Sequence, residues 1–174
     1  MHLLLEATIF KIDVLTIDVR VGKAVQRRFD EVIGRRSYSP ELARELEKVA
    51  LGADELLIQV RFVRKVSFQQ WLYGALDNLT RAEQAQLISP ELRRRVEARL
   101  AVAFGALQER GYERGDRLFY RVRPDALRTV LVSDDGRVHL DITDTGKEPG
   151  YVVRASYFTP NGVFREPLLR SLFD

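Results

Sequence analysis

Lys11 and Asp13 stand two residues apart in a run rich in Leu, Ile, Val and Thr, so a strand there places an ammonium and a carboxylate on one sheet face. If that face is buried, the Asp13 carboxylate needs a partner such as Lys11. Other catalytic parts are scarce. The two histidines, His2 at the start and His139 in a strand-like run, are too few for a histidine metal cluster or a nucleophilic triad. Cysteine is absent, which removes disulfides, thiolate metal sites and thiol nucleophiles. No glycine-rich loop of the phosphate-cradling kind occurs, and Gly105 and Gly111 suit helix packing and capping. No metal or cofactor is therefore expected.

Arg93-Arg94-Arg95 could grip phosphates, but Glu91 and Glu97 beside it give the pattern of a solvated helix face, so no nucleic-acid partner is expected. The aromatic residues Phe62, Phe68, Trp71, Phe104, Phe119, Tyr157 and Phe158 suit either a core or the wall of a ligand cavity.

The elements that position these residues follow from composition and periodicity. With 174 residues, 45% of them hydrophobic, the chain reads as one domain over 1–174 that can bury roughly 70% of its unfolded surface. The 28 Lys and Arg against 25 Asp and Glu leave a net charge of only +3, which serves solubility. No apolar run reaches the ~18 residues of a membrane span. Met1 to Leu5 lacks the basic and apolar regions of an export signal. Removal of a leader would leave the same sequence, so the reading is soluble, cytoplasmic or exported, with oligomeric state open.

Leu3 to Val21 alternates with a two-residue period and is expected to form one long strand or two joined ones, with Leu15, Ile17 and Val19 on one face and Val14, Thr16 and Asp18 on the other. Both faces are half apolar, so both are expected to be covered. Ser39-Pro40-Glu41 opens a helix that Gly52 stops, with Leu42, Leu46 and Val49 as its buried stripe. Leu56 to Val66 reads as a strand, and Ser67 caps a helix carrying Phe68, Trp71, Leu72, Ala75 and Leu79. Thr80 and Ser89-Pro90-Glu91 each start a further helical piece, the second running to about Gly111 with Leu92, Val96, Leu100, Phe104 and Leu107 inward. Short strands are then expected over 118–122, 127–133, 138–142 and 152–158, with Asp135-Gly136 as a hairpin turn, and a last helix from Phe164 to Phe173. Such an order specifies an α+β layer structure with helices on one sheet face.

Four segments in order resemble the chalcone isomerase-like family: Phe10-Lys11-Ile12-Asp13-Val14-Leu15, Arg64-Lys65-Val66-Ser67 followed by Trp71, Arg114-Gly115-Asp116-Arg117-Leu118, and Phe164-Arg165 through Leu168 to Phe173. The resemblance implies an open-faced β-sandwich, an antiparallel sheet with helices packed on one face and a cleft for a flat apolar molecule. It also implies either closure of a chalcone to a flavanone or non-catalytic binding of a fatty acid.

Carried over by position, the catalytic arginine has no counterpart in Met1 to Ile9, the strand threonine becomes Asp13, and the tyrosine becomes Phe62. The asparagine becomes Gln69 and the late threonine Ser171, which keep hydrogen bonding. Polar anchoring is retained while acid and positive charge are lost, a defect worth about 3 kcal/mol or more for the missing oxyanion donor. The first expectation is thus a non-catalytic protein binding a fatty acid or a flavonoid-like molecule, with Lys11, Asp13, Phe62, Gln69 and Ser171 at the ligand. The alternatives are a weak isomerase using Asp13, and a partner-binding module using the face near Arg93 to Arg99.

Overall fold

The alternating runs pair into a six-stranded antiparallel meander whose spatial order is the order of the chain. The computed structural model describes the backbone of residues 3–9 and 12–173 and the side chains of 14–173. Its strands are β1 (Leu3–Ile9), β2 (Ile12–Val21), β3 (Leu56–Phe62), β4 (Arg117–Arg123), β5 (Ala126–Val132) and β6 (Val138–Thr145). The helices are α1 (Lys23–Ile33), α2 (Pro40–Leu51), α3 (Phe68–Gln84), α4 (Pro90–Ala103), α5 (Lys147–Phe158) and α6 (Arg165–Arg170).

One sheet face is apolar because the pleat sends alternate residues to it: Ile17 and Val19 from β2, Ile58 and Val60 from β3, Leu118 and Val122 from β4, and Leu127 and Leu131 from β5 are all buried. Helices cover that face. Among the described residues no such helical layer covers the opposite face, contrary to the expectation that both would be covered. On it Arg61 stands opposite Arg117 and Arg121 opposite Arg128. Arg128 is held by Asp141 through bonds of 2.8 and 2.7 Å, whereas Arg61, Arg117 and Arg121 form no ion pair among the described residues. Partly buried Leu57, Phe119 and Val130 lie between them.

The helix starts follow their capping residues. Ser39 Oγ accepts the Leu42 N–H at 3.2 Å, and Ser89 Oγ accepts that of Leu92 at 3.1 Å. Ser67 and Gln70 form a reciprocal box, with Ser67 Oγ accepting the Gln70 N–H at 3.1 Å and Gln70 Oε1 the Ser67 N–H at 3.0 Å. Ser67→Ala is expected to cost about 1 kcal/mol in a urea melt, and an unchanged midpoint would show the box to be dispensable.

Four departures from the sequence reading have physical causes. The segment 152–158 is helix, not strand: Val152, Ala155 and Phe158 are buried at three-residue steps, and packing overrides the β-branched and aromatic composition. Gly150 lets this helix approach β4, since a Cβ there would meet Val122 Cγ1 at 2.8 Å. Helix α1 had not been expected, although Val25 and Phe29, its buried residues, carry the four-residue spacing. Thr80 lies inside α3 rather than at a new start, its hydroxyl donating to the Leu76 carbonyl at 3.0 Å. Helix α4 ends at Ala103 in a short 3-10 turn, Gly105–Leu107, and only Phe104 and Leu107 of the five inward candidates are fully buried.

The Asp135-Gly136 hairpin forms as expected between β5 and β6, with Gly136 alone at positive φ, +87°. The Gly136 N–H donates to the Ser133 carbonyl at 2.9 Å, and the register shifts after Leu131, which marks a bulged turn.

Candidate ligand-binding cavity

Between the apolar sheet face and helices α3, α4 and α5 lies a cavity of about 1080 Å³. The size is near the upper end of small-molecule sites, roughly 300–1,000 Å³. Strands supply Val60, Phe62 and Leu127, and helices supply Trp71, Leu100 and Val152, so the lining is mainly apolar. One wall is aromatic: Trp71 stacks on Phe104 with centroids 4.5 Å apart, and Tyr112 stacks on Phe62 at 4.4 Å behind it.

Helix α4 roofs the cavity without burying a residue fully: Leu92, Val96 and Leu100 are partly covered, packed against the small cluster around Leu79, Ile88 and Val152, and Val96 and Leu100 also line the cavity. Charges fasten it as well. Arg93 pairs with Glu83 of α3, Arg95 with Glu148 of α5 at 2.7 Å, and Arg99 with Asp144 of β6 at 2.9 Å. The Arg93 guanidinium is held more firmly protonated by its bonds to Glu83 and Glu97. The arginine run is thus mostly committed to holding the roof.

The exposed lining residues mark the rim, among them Arg64, Gln69, Gln70 and Tyr73 around the start of α3. Arg64 forms no ion pair among the described residues. It sits on the bend between β3 and α3, a position fixed by the Val66–Tyr112 bridge, with the Tyr112 N–H on the Val66 carbonyl at 2.8 Å. Gly111 makes that close approach possible at φ +65°, since a Cβ there would meet the Val66 carbonyl oxygen at 2.7 Å.

Of the ligand residues expected from the sequence, Phe62 and Gln69 line the cavity. Ser171 does not line it; it follows α6, and its hydroxyl donates to the Leu168 carbonyl at 2.9 Å. Lys11 and the Asp13 side chain lie outside the described residues. His139 is a partnered strand residue, its Nε2 3.1 Å from Ser133 Oγ. Among the described residues no cluster of three His, Asp or Glu side chains could hold a metal ion, and no helix is long and apolar enough to cross a membrane.

Sequence reasoning missed Arg64, Tyr120 and Thr129 as lining residues. For the last two the signal was available, since each is a polar group at an inward strand position, between Leu118 and Val122 and between Leu127 and Leu131.

No family model and no curated protein matches this sequence. Among solved structures the chain is similar to a fatty-acid binding protein of Arabidopsis thaliana. The match has a TM-score of 0.62 and 13% identity over 94% of this chain and 82% of that one. At that identity the likeness is one of fold, the antiparallel open sheet with helices on one face that the family resemblance implied.

Proposed function

We propose that the protein binds a fatty acid without transforming it, the chain lying in the cavity under α4 and the carboxylate meeting Arg64 at the rim. The observation that carries the reading is a large apolar cavity with an uncommitted guanidinium at its mouth. The fold it shares with a protein described as fatty-acid binding supports it. Burial of each methylene contributes about 0.8 kcal/mol, so a chain of some sixteen carbons can offset the several kcal/mol lost on association and still bind at micromolar level. A carboxylate on Arg64 adds a charge-assisted bond at a wet site, about tenfold in affinity.

Delipidated protein is expected to take up stearate with a micromolar or lower Kd, read by native mass spectrometry and by displacement of a fluorescent fatty acid. Arg64→Gln is expected to weaken stearate about tenfold while leaving an uncharged chain of equal length unaffected. Absence of binding for both fatty acids and flavonoids at micromolar concentration defeats the reading. Consumption of chalcones that Asp13→Asn abolishes would put an isomerase in its place.

A further inference from the structure

Most charged groups around the cavity are already committed to protein partners. Arg95 and Arg99 hold acids, Arg81 holds Asp77 at 2.8 Å and the Asn161 carbonyl at 3.0 Å, and the Ser156 hydroxyl donates to the Val152 carbonyl at 2.9 Å. Three hydroxyls on the cavity floor are different. Tyr120 of β4 and Thr129 of β5 are direct cross-strand partners, so their side chains rise side by side from the inner sheet face. Tyr157 of α5 comes down on them, its ring 6.1 Å from that of Tyr120 and edge-on to it at 61°. It is fixed from behind by stacking on Phe164 at 5.3 Å. All three line the cavity, Thr129 is only 3% exposed, and none of the three hydroxyls is hydrogen-bonded among the described residues.

Thr129 is buried and the two tyrosines are partly buried, so hydroxyls that the protein leaves unpaired there are open to whatever fills the cavity. Three in one place, on two strands and a helix, form a prepared patch of donors. We propose that this patch binds a second oxygen on the ligand, a hydroxyl or ketone along its chain, so that the preferred ligand is an oxygenated fatty acid. This rests on the fatty-acid reading of the cavity. The patch suits an uncharged oxygen rather than the carboxylate: the cationic side chains of the lining are at the rim or engaged with acids, and burial raises both phenols, keeping them protonated as donors. Charge at the mouth and neutral donors on the floor would then fix the ligand at two points.

The test compares stearate with 10-hydroxystearate, 12-hydroxystearate and 12-oxostearate on delipidated protein, by displacement of a fluorescent fatty acid. At least one oxygenated acid is expected to bind ~10-fold more tightly than stearate, the gain of one or two hydrogen bonds in a dry site. Tyr120→Phe and Tyr157→Phe, which keep the rings, are expected to abolish that preference, so that each variant binds the oxygenated acids no more tightly than it binds stearate. Equal binding of all four acids, or a preference that survives both substitutions, overturns the inference while leaving the fatty-acid site in place. Failure of every acid to bind overturns both.

Discussion

Arg110→Ala is expected to lower stability by about 3 kcal/mol, the low end of the range for orphaning one member of a buried pair because Arg110 itself is partly open to water. Asp116 is 1% exposed and accepts from Arg110 Nη1 at 2.6 Å, Arg110 Nη2 at 3.0 Å and the Glu113 N–H at 2.9 Å. Without the guanidinium, one backbone donor remains for a carboxylate that is almost fully buried. A chain of this size should lose about 6–12 °C in Tm. Arg110→Lys should recover only part of the loss, since an ammonium cannot make the two parallel bonds. A melt shifted by less than ~1 kcal/mol would show that the carboxylate finds another partner or is hydrated.

The same clip reaches the cavity. The Phe62 N–H donates to the Asp116 carbonyl at 2.9 Å, and the Gly115 N–H donates to the Phe62 carbonyl at 2.8 Å, so the pair anchors the end of β3 from which Phe62 lines the site. The Arg110 variant should therefore also bind ligand less tightly.

Gly74→Leu should act in opposite directions on stability and binding. Gly74 lies within α3 and lines the cavity, and a Cβ built on it meets nothing within 4 Å. Relief of a helix-interior glycine contributes about 0.5–1 kcal/mol. The added side chain takes the room of about four methylenes of ligand, worth about 3 kcal/mol and hence about a hundredfold in stearate affinity. A raised melting point with lost binding is the expected pair of results. Unchanged affinity would place the ligand elsewhere.

How much of this was legible in the sequence depended on whether the cause was local. Capping serines 39, 67 and 89 and the turn at Gly136 act within a few residues, and their elements are present. The alternation of β3 to β5 fixes which side chains face inward, and Phe62, carried over from the family pattern, stands at such an inward position and lines the cavity. Helix α5 was not legible because its residues alternate like a strand and become helical only when Val152, Ala155 and Phe158 pack together beneath neighbouring elements. Ser171 was transferred from a family pattern, but the bond to Leu168 keeps its hydroxyl on its own helix. Arg64 could not be singled out among so many arginines, because its freedom from acids is a fact of three dimensions.

The uncovered sheet face bears on self-association. A half-exposed antiparallel sheet carrying Leu57, Phe119 and Val130 offers what a second copy would need to stack on it at about 10 Å and close a two-layer sandwich. The cross-strand couples Arg61 with Arg117 and Arg121 with Arg128 set guanidinium groups among these apolar side chains. Arg128 is neutralised by Asp141, but stacking would still strip water from the guanidinium groups of Arg61, Arg117 and Arg121, a cost set against the small apolar gain. The arrangement opposes the stacking of two copies on that side.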